Sequence, residues 1–184
     1  LMAVAGENGI AAYGVIMYVN FVFSSMYIGY SIGAAPIVSY HYGAGNRTEL
    51  KNLLKKSLGL IGLTGIVLTA LAEITSGPLV EIFVGYDREL FEMTCHGFRI
   101  YALFFIICGF NIWSSAFFTA LGNGVVSAII SFLRTLVFQS GAVMLLPIFL
   151  GLDGVWLAVV AAEIMALCVS AIFCVAQRKK YGYL

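Results

Sequence analysis

Apolar residues run through this chain in five long stretches, interrupted only by isolated polar side chains. They cover about residues 10–42, 55–75, 96–121, 124–149 and 154–177. A helix needs roughly 20 apolar residues to cross about 30 Å of hydrocarbon, so each stretch is long enough to span a bilayer. The pattern predicts an all-α membrane protein, a polytopic bundle of five full transmembrane helices. The connections fall at recognisable breakers. "HYGAGN" ends the first stretch, and Asn46 then stands as an N-cap with Glu49 three residues on, the spacing of a capping box. "SGPLVEIFVGYD" (76–87) reads as an interfacial loop, with Asp87 capping a helix that runs to Leu121. "LGNG" (121–124) and "LGLDG" (150–154) read as tight turns between antiparallel neighbours.

Polar residues recur inside these stretches at helical spacing. Asn20, Ser24, Tyr27 and Ser31 share one face of the first span. Tyr101, Cys108, Asn111, Ser115 and Thr119 share one of the third, and Ser127, Ser131, Thr135 and Gln139 one of the fourth, with Arg134 beside it. Such faces turn away from lipid, either to bond between helices or to line a cavity. The candidate cavity-lining residues are Asn20, Ser24, Tyr27, Tyr101, Asn111, Ser115 and Gln139. Gly29 and Gly33 allow close helix approach, and Pro36 and Pro147 are expected to bend their spans.

The fifth stretch places Glu163 in the middle of "AVVAAEIMALC". An acid at that depth is costly and faces a protein interior or a polar cavity. Arg134 lies about 11 residues, or roughly 16 Å, into the fourth span, and Glu163 about 14 residues, or roughly 21 Å, from the far end of the fifth. If the two helices pack antiparallel, the charges sit within about one turn of each other in depth. Paired with Arg134, Glu163 stays charged and acts as an internal strut. Facing a cavity unpaired, it would take up a proton, a cation or a cationic substrate.

Composition strengthens the membrane reading. Of 184 residues, 61% are hydrophobic and only 10% charged, against roughly 25% charged in soluble domains. The net charge of +1 gives nucleic acid no footing. Cys95, Cys108, Cys168 and Cys174 form no C-x-x-C pair and read as packing residues, and His41 and His96 stand alone. No metal cluster, phosphate loop or nucleophile–base pair is present in the sequence, so neither an enzyme nor a resident cofactor is expected. The distribution of charge is informative. Arg47, Lys51, Lys55, Lys56, Arg178, Lys179 and Lys180 collect on one side of a five-span bundle. Glu7, Glu81, Asp87, Glu89, Glu92 and Asp153 collect on the other, against Arg88 and Arg99. The positive-inside rule puts the C-terminus in the cytoplasm and residue 1 outside. The stub "LMAVAGENG" before the first span reads as the end of an earlier helix of a longer protein.

With those residues in view, the chain resembles the C-terminal half of the multidrug and toxic compound extrusion (MATE) family. The resemblance is carried in order by "GENGIAAYGV", "GAAPIVSYHYGAGNRTELKNLLKKS", "FRIYALFFIICGFNIWSSAFFTALGNG" and "RTLVFQSGAVMLLPIFLGLDGVWLAVVAAE". It implies a two-lobe, twelve-helix transporter with a substrate cleft between lobes and alternating access driven by protons or sodium. It makes residues 1–184 the C-terminal lobe, with the spans as helices eight to twelve and the stub as the end of helix seven. It further implies a multi-pass protein of the cell membrane, in bacteria the cytoplasmic membrane, exporting small organic cations together with an N-terminal lobe that this chain lacks. The coupling ion would be H+ or Na+. The third span carries no acid in its apolar part, which argues against a sodium site of the kind that uses one there. A flippase for lipids or lipid-linked oligosaccharides on the same plan, and a non-transporting membrane scaffold, are the competing readings.

Overall fold

The computed structural model describes residues 2–183, with side chains from Gly6 onward; Leu1, where the stub begins, and Leu184 lie outside the described residues. Helix α1 spans Met2–Gly43 and is broken at Gly6. Helix α2 spans Arg47–Val84, opened by Asn46, whose side chain accepts the Glu49 N–H at 3.1 Å. The capping-box spacing thus delivers its N-cap half. Glu49 instead accepts a hydrogen bond from the Asn52 amide.

Residues 76–84 are helical, a correction to the interfacial loop expected there. Helix α2 continues through Pro78 to Val84. Proline removes one backbone donor and crowds the preceding turn. Packing offsets this. Ser76, Val80 and Val84 fall four apart and all are buried, so the turn packs on the bundle. A short loop then leads to Asp87, whose side chain caps α3 by accepting the Leu90 N–H at 3.1 Å.

The third crossing is bent. Helix α3 (Arg88–Ala102) and helix α4 (Phe104–Ala120) meet at Leu103 at an angle of 45°. A bend costs helical hydrogen bonds unless other donors reach the carbonyls near it. Thr69 from α2 donates to the Ala102 carbonyl at 3.1 Å, and Tyr27 from α1 donates to the Phe105 carbonyl at 2.7 Å. Gly65 presses α2 against the same place: a methyl group there would meet the Ile106 backbone at 3.1 Å.

Helix α5 (Gly124–Phe132) is capped by the Asn123 side chain and passes into a π-helical segment, Leu133–Phe138. Helix α6, Gln139–Tyr181, contains a reversal at Gly151, with φ 57° and ψ −131°. A straight helix of that length would measure roughly 65 Å, yet Arg134 and Glu163 are in contact across the reversal. Gly154 lies directly against the Leu146 carbonyl, so the two arms touch backbone to backbone. The described residues therefore make five passes, counting α3–α4 as one and dividing α6 at Gly151.

Helix α4 is the axis of the bundle, packed against α1, α2, α5 and α6. Its Phe105, Trp113, Phe117 and Phe118 are fully buried. Trp156, just past the reversal, is also fully buried, against Gly97 of α3. At the far end the chain tucks in Tyr183, whose hydroxyl donates to the Cys174 carbonyl at 2.9 Å.

Candidate functional site

A cavity of about 450 Å3 opens between α1, the α3–α4 bend, the π-helical segment and α6. Helix α1 contributes Tyr13, Met17, Asn20 and Ser24, and the bent crossing contributes Tyr101, Phe104 and Ser115. Ser131, Arg134, Thr135 and Gln139 come from the fourth crossing, and Glu163 from α6. Seven sequence candidates thus meet in one place: Asn20, Ser24, Tyr101, Ser115, Arg134, Gln139 and Glu163.

Two candidates do not line it. Tyr27 is 2% exposed and spends its hydroxyl on the carbonyl at the helix bend. Its stripe position is used for structure. Asn111 is fully buried behind the cavity wall, where it holds Glu163. Its amide nitrogen lies 2.7 Å from Glu163 Oε2 and 3.0 Å from the Glu163 backbone carbonyl. Both are acceptors, so the amide must present its N–H groups to them. Its oxygen faces the other way and accepts from the Ser170 hydroxyl at 3.0 Å.

Glu163 completes this network on its other oxygen, where Arg134 Nε donates to Oε1 at 2.7 Å. Both carboxylate oxygens meet donors, the arrangement that suits an ionised acid. The side chains of Arg134 and Glu163 are 22% and 6% exposed. Among the described residues that line the cavity, no other is acidic and no other is basic. Ser170 was not singled out in the sequence. Its signal is there, seven residues after Glu163 and hence on the same helix face.

The π-helical segment is what brings Arg134 and Gln139 together. The Gln139 N–H bonds to the Arg134 carbonyl, closing a turn five residues long rather than four. Residues 134 and 139 then sit one above the other, whereas an α-helix would turn them to different faces. The small hydroxyls divide the labour. Ser115 lies 2.8 Å from Ser127 and 2.9 Å from Ser131, and Thr119 donates to Ser127 at 2.8 Å, tying α4 to α5. Interhelical bonding and cavity lining thus coexist on one stripe.

Long apolar helices packed around a polar cavity, with one buried ion pair and no cluster of metal-ligating side chains among the described residues, define a polytopic helical membrane protein. The chain belongs to the MatE family, whose model matches residues 1–142. Solved structures agree on the fold. An outward-facing multidrug resistance MATE family transporter of the MOP superfamily aligns with a TM-score of 0.91 at 20% identity, over 100% of this chain. The inward-facing conformation of such a transporter aligns at 0.92 and 20% identity, over 98% of this chain. A MOP superfamily transporter from Pyrococcus furiosus, whose binding pocket of reverse polarity suggests a different function, aligns at 0.90 and 20% identity, again over 98%. This chain covers 41%, 42% and 41% of those three proteins. No curated protein matches it by sequence.

Proposed function

We propose that this chain forms the C-terminal lobe of a secondary antiporter that exports cationic or amphipathic compounds in exchange for H+ or Na+. On this reading the basic end and the C-terminus face the cytoplasm, in bacteria across the cytoplasmic membrane. The observation that carries the proposal is the cavity itself. Polar side chains inside a membrane protein are expensive, and a solute that crosses through the bundle gives them work. The near-equal match to outward-facing and inward-facing transporters supports a lobe that keeps its fold while the whole molecule changes state.

The lining argues for how cargo is held. Arg134 and Glu163 cancel in formal charge, so a cation is not drawn in by a free carboxylate. Attraction falls to Tyr13, the partly exposed aromatic ring of the lining, where a cation–π contact is worth roughly 0.5–2 kcal/mol, and to the oxygens of Asn20, Ser24 and Gln139. Glu163 is the cavity's carboxylate, so a coupling ion bound in this lobe would have to compete with Arg134 for it. A flippase for phosphate-bearing lipids would want a net cationic cavity, and the pairing of Arg134 removes that.

The test is transport by the full-length protein. Expressed in an efflux-deficient host, it is expected to export ethidium when a proton or sodium gradient is imposed. Absence of gradient-dependent export for any cationic dye would overturn the proposal.

A further inference from the structure

At the opposite end of the molecule from Gly151, a second and smaller cavity of about 150 Å3 is lined by His41, Tyr42, Arg47, Lys180 and Tyr181. It lies where α1 ends, α2 begins and α6 ends. Helix α2 brings its positive N-terminal end, while α1 and α6 bring negative C-terminal ends. The side chains therefore decide the sign, and they are basic. Among the described residues neither Arg47 nor Lys180 pairs with a carboxylate.

The pocket is built rather than incidental. The Arg47 side chain packs on the turn at Gly182, where an added methyl would meet its Cδ at 2.6 Å. Lys180 Nζ stands 5.2 Å from the centre of the Tyr181 ring, which packs edge-on against Tyr42 at 5.5 Å. His41 Nδ1 is buried without a hydrogen-bond partner among the described residues, an uncommon state for a ring nitrogen.

What lies beneath distinguishes one anion from another. Ile172, Ala176 and Lys180 fall four apart on α6, in one line down the helix. Ile172 is 65% exposed and borders a wholly apolar trough with Ala171, Val175 and Ala176. On α1, Ile37 is 48% exposed one turn before His41. A basic pocket capping an exposed apolar helix face matches a molecule with a negative head and apolar tails.

We propose that this pocket binds the phosphate of an anionic membrane lipid, with the acyl chains lying along the Ile172–Ala176 face of α6. Basic pockets between membrane helices serve anionic headgroups by this chemistry. The site is separate from the transport cavity.

The full-length protein in detergent, titrated with dioleoyl phosphatidylglycerol, dioleoyl phosphatidylcholine or inorganic phosphate and read by native mass spectrometry, tests this. Phosphatidylglycerol is expected to bind at least tenfold tighter than phosphatidylcholine. The double substitution Arg47→Gln/Lys180→Gln should weaken it about 25-fold, near fivefold per charge removed. Lys51→Gln/Lys55→Gln, removing the same charge elsewhere on the same end, should cost less than threefold. Should Arg47→Gln disturb the C-terminal turn, Lys180→Gln alone, on an exposed side chain, is expected to give the fivefold loss. Equal losses from the two pairs, or no preference for phosphatidylglycerol, would mean diffuse surface charge and overturn the site. Binding of inorganic phosphate without that lipid preference would overturn the lipid.

Discussion

Replacing Glu163 with Gln tests the centre of this structure. The carboxylate accepts from Arg134 on one oxygen and from Asn111 on the other, each at 2.7 Å. An amide has one oxygen and one NH2, so Glu163→Gln can satisfy only one of the two donors. The other then faces N–H against N–H. Breaking a buried ion pair by removing one partner costs roughly 3–5 kcal/mol. Arg134 keeps 22% of its side-chain surface exposed at the cavity, so water can take over part of its solvation. About 2–3 kcal/mol is therefore the expected loss. Thermal unfolding of the full-length protein in one fixed detergent, for wild type, Glu163→Gln, Arg134→Gln and the double variant, measures it. The double variant removes both charges, so it should lose less than the two single losses added, with a coupling of about 1–3 kcal/mol. Ethidium export by the single variants should keep its dependence on the imposed gradient. An additive cycle with unchanged stability would refute the strut. If Glu163→Gln stays as stable as wild type but loses gradient-driven export, the acid is a carrier.

Three further outcomes follow from packing. Gly97→Ala should destabilise by about 1–3 kcal/mol, measured by unfolding midpoint, because its methyl would sit 2.6 Å from the fully buried ring of Trp156; a neutral effect would mean the ring can move. Tyr27→Phe should cost about 1 kcal/mol by removing the buried hydrogen bond to the Phe105 carbonyl at the helix bend, and should leave ethidium export unchanged, since Tyr27 does not line the cavity. Gly151→Ala should cost roughly 1–3 kcal/mol, since φ 57° with ψ −131° is open to little besides glycine; it is read by protease sensitivity of the 150–154 turn, and an unaltered digest would argue against the reversal.

Much of this protein is legible along the chain. Apolar runs of spanning length, stop signals at glycines and caps at Asn46 and Asp87 are local properties, and each depends on residues within a few positions of one another. The depth match of Arg134 with Glu163 was also readable, because helical rise is constant and the turn between them is short. The same local reasoning failed at "SGPLVEIFVGYD", where Pro78 and Gly77 signalled a loop. Burial of Ser76, Val80 and Val84 outweighed those signals, and burial belongs to neighbours that the segment does not contain. It also missed the 45° bend at Leu103, which no proline marks and which stands because Thr69 and Tyr27 arrive from other helices.

The chemistry of the site divides the same way. Helical periodicity grouped the polar residues onto shared faces, since a polar group turned toward hydrocarbon is costly whichever helix carries it. Which of them face open space was settled only by tertiary structure. Tyr27 and Asn111 hold the same stripe positions as Ser24 and Ser115, yet one braces a bend and the other anchors Glu163 from behind. The π-helical turn at Leu133–Phe138 then rotated Gln139 over Arg134, out of step with any 3.6-residue count. A sequence states the polarity of each position along a helix. The partner across the gap, and whether a gap exists, depends on how helices far apart in the chain come to rest against each other.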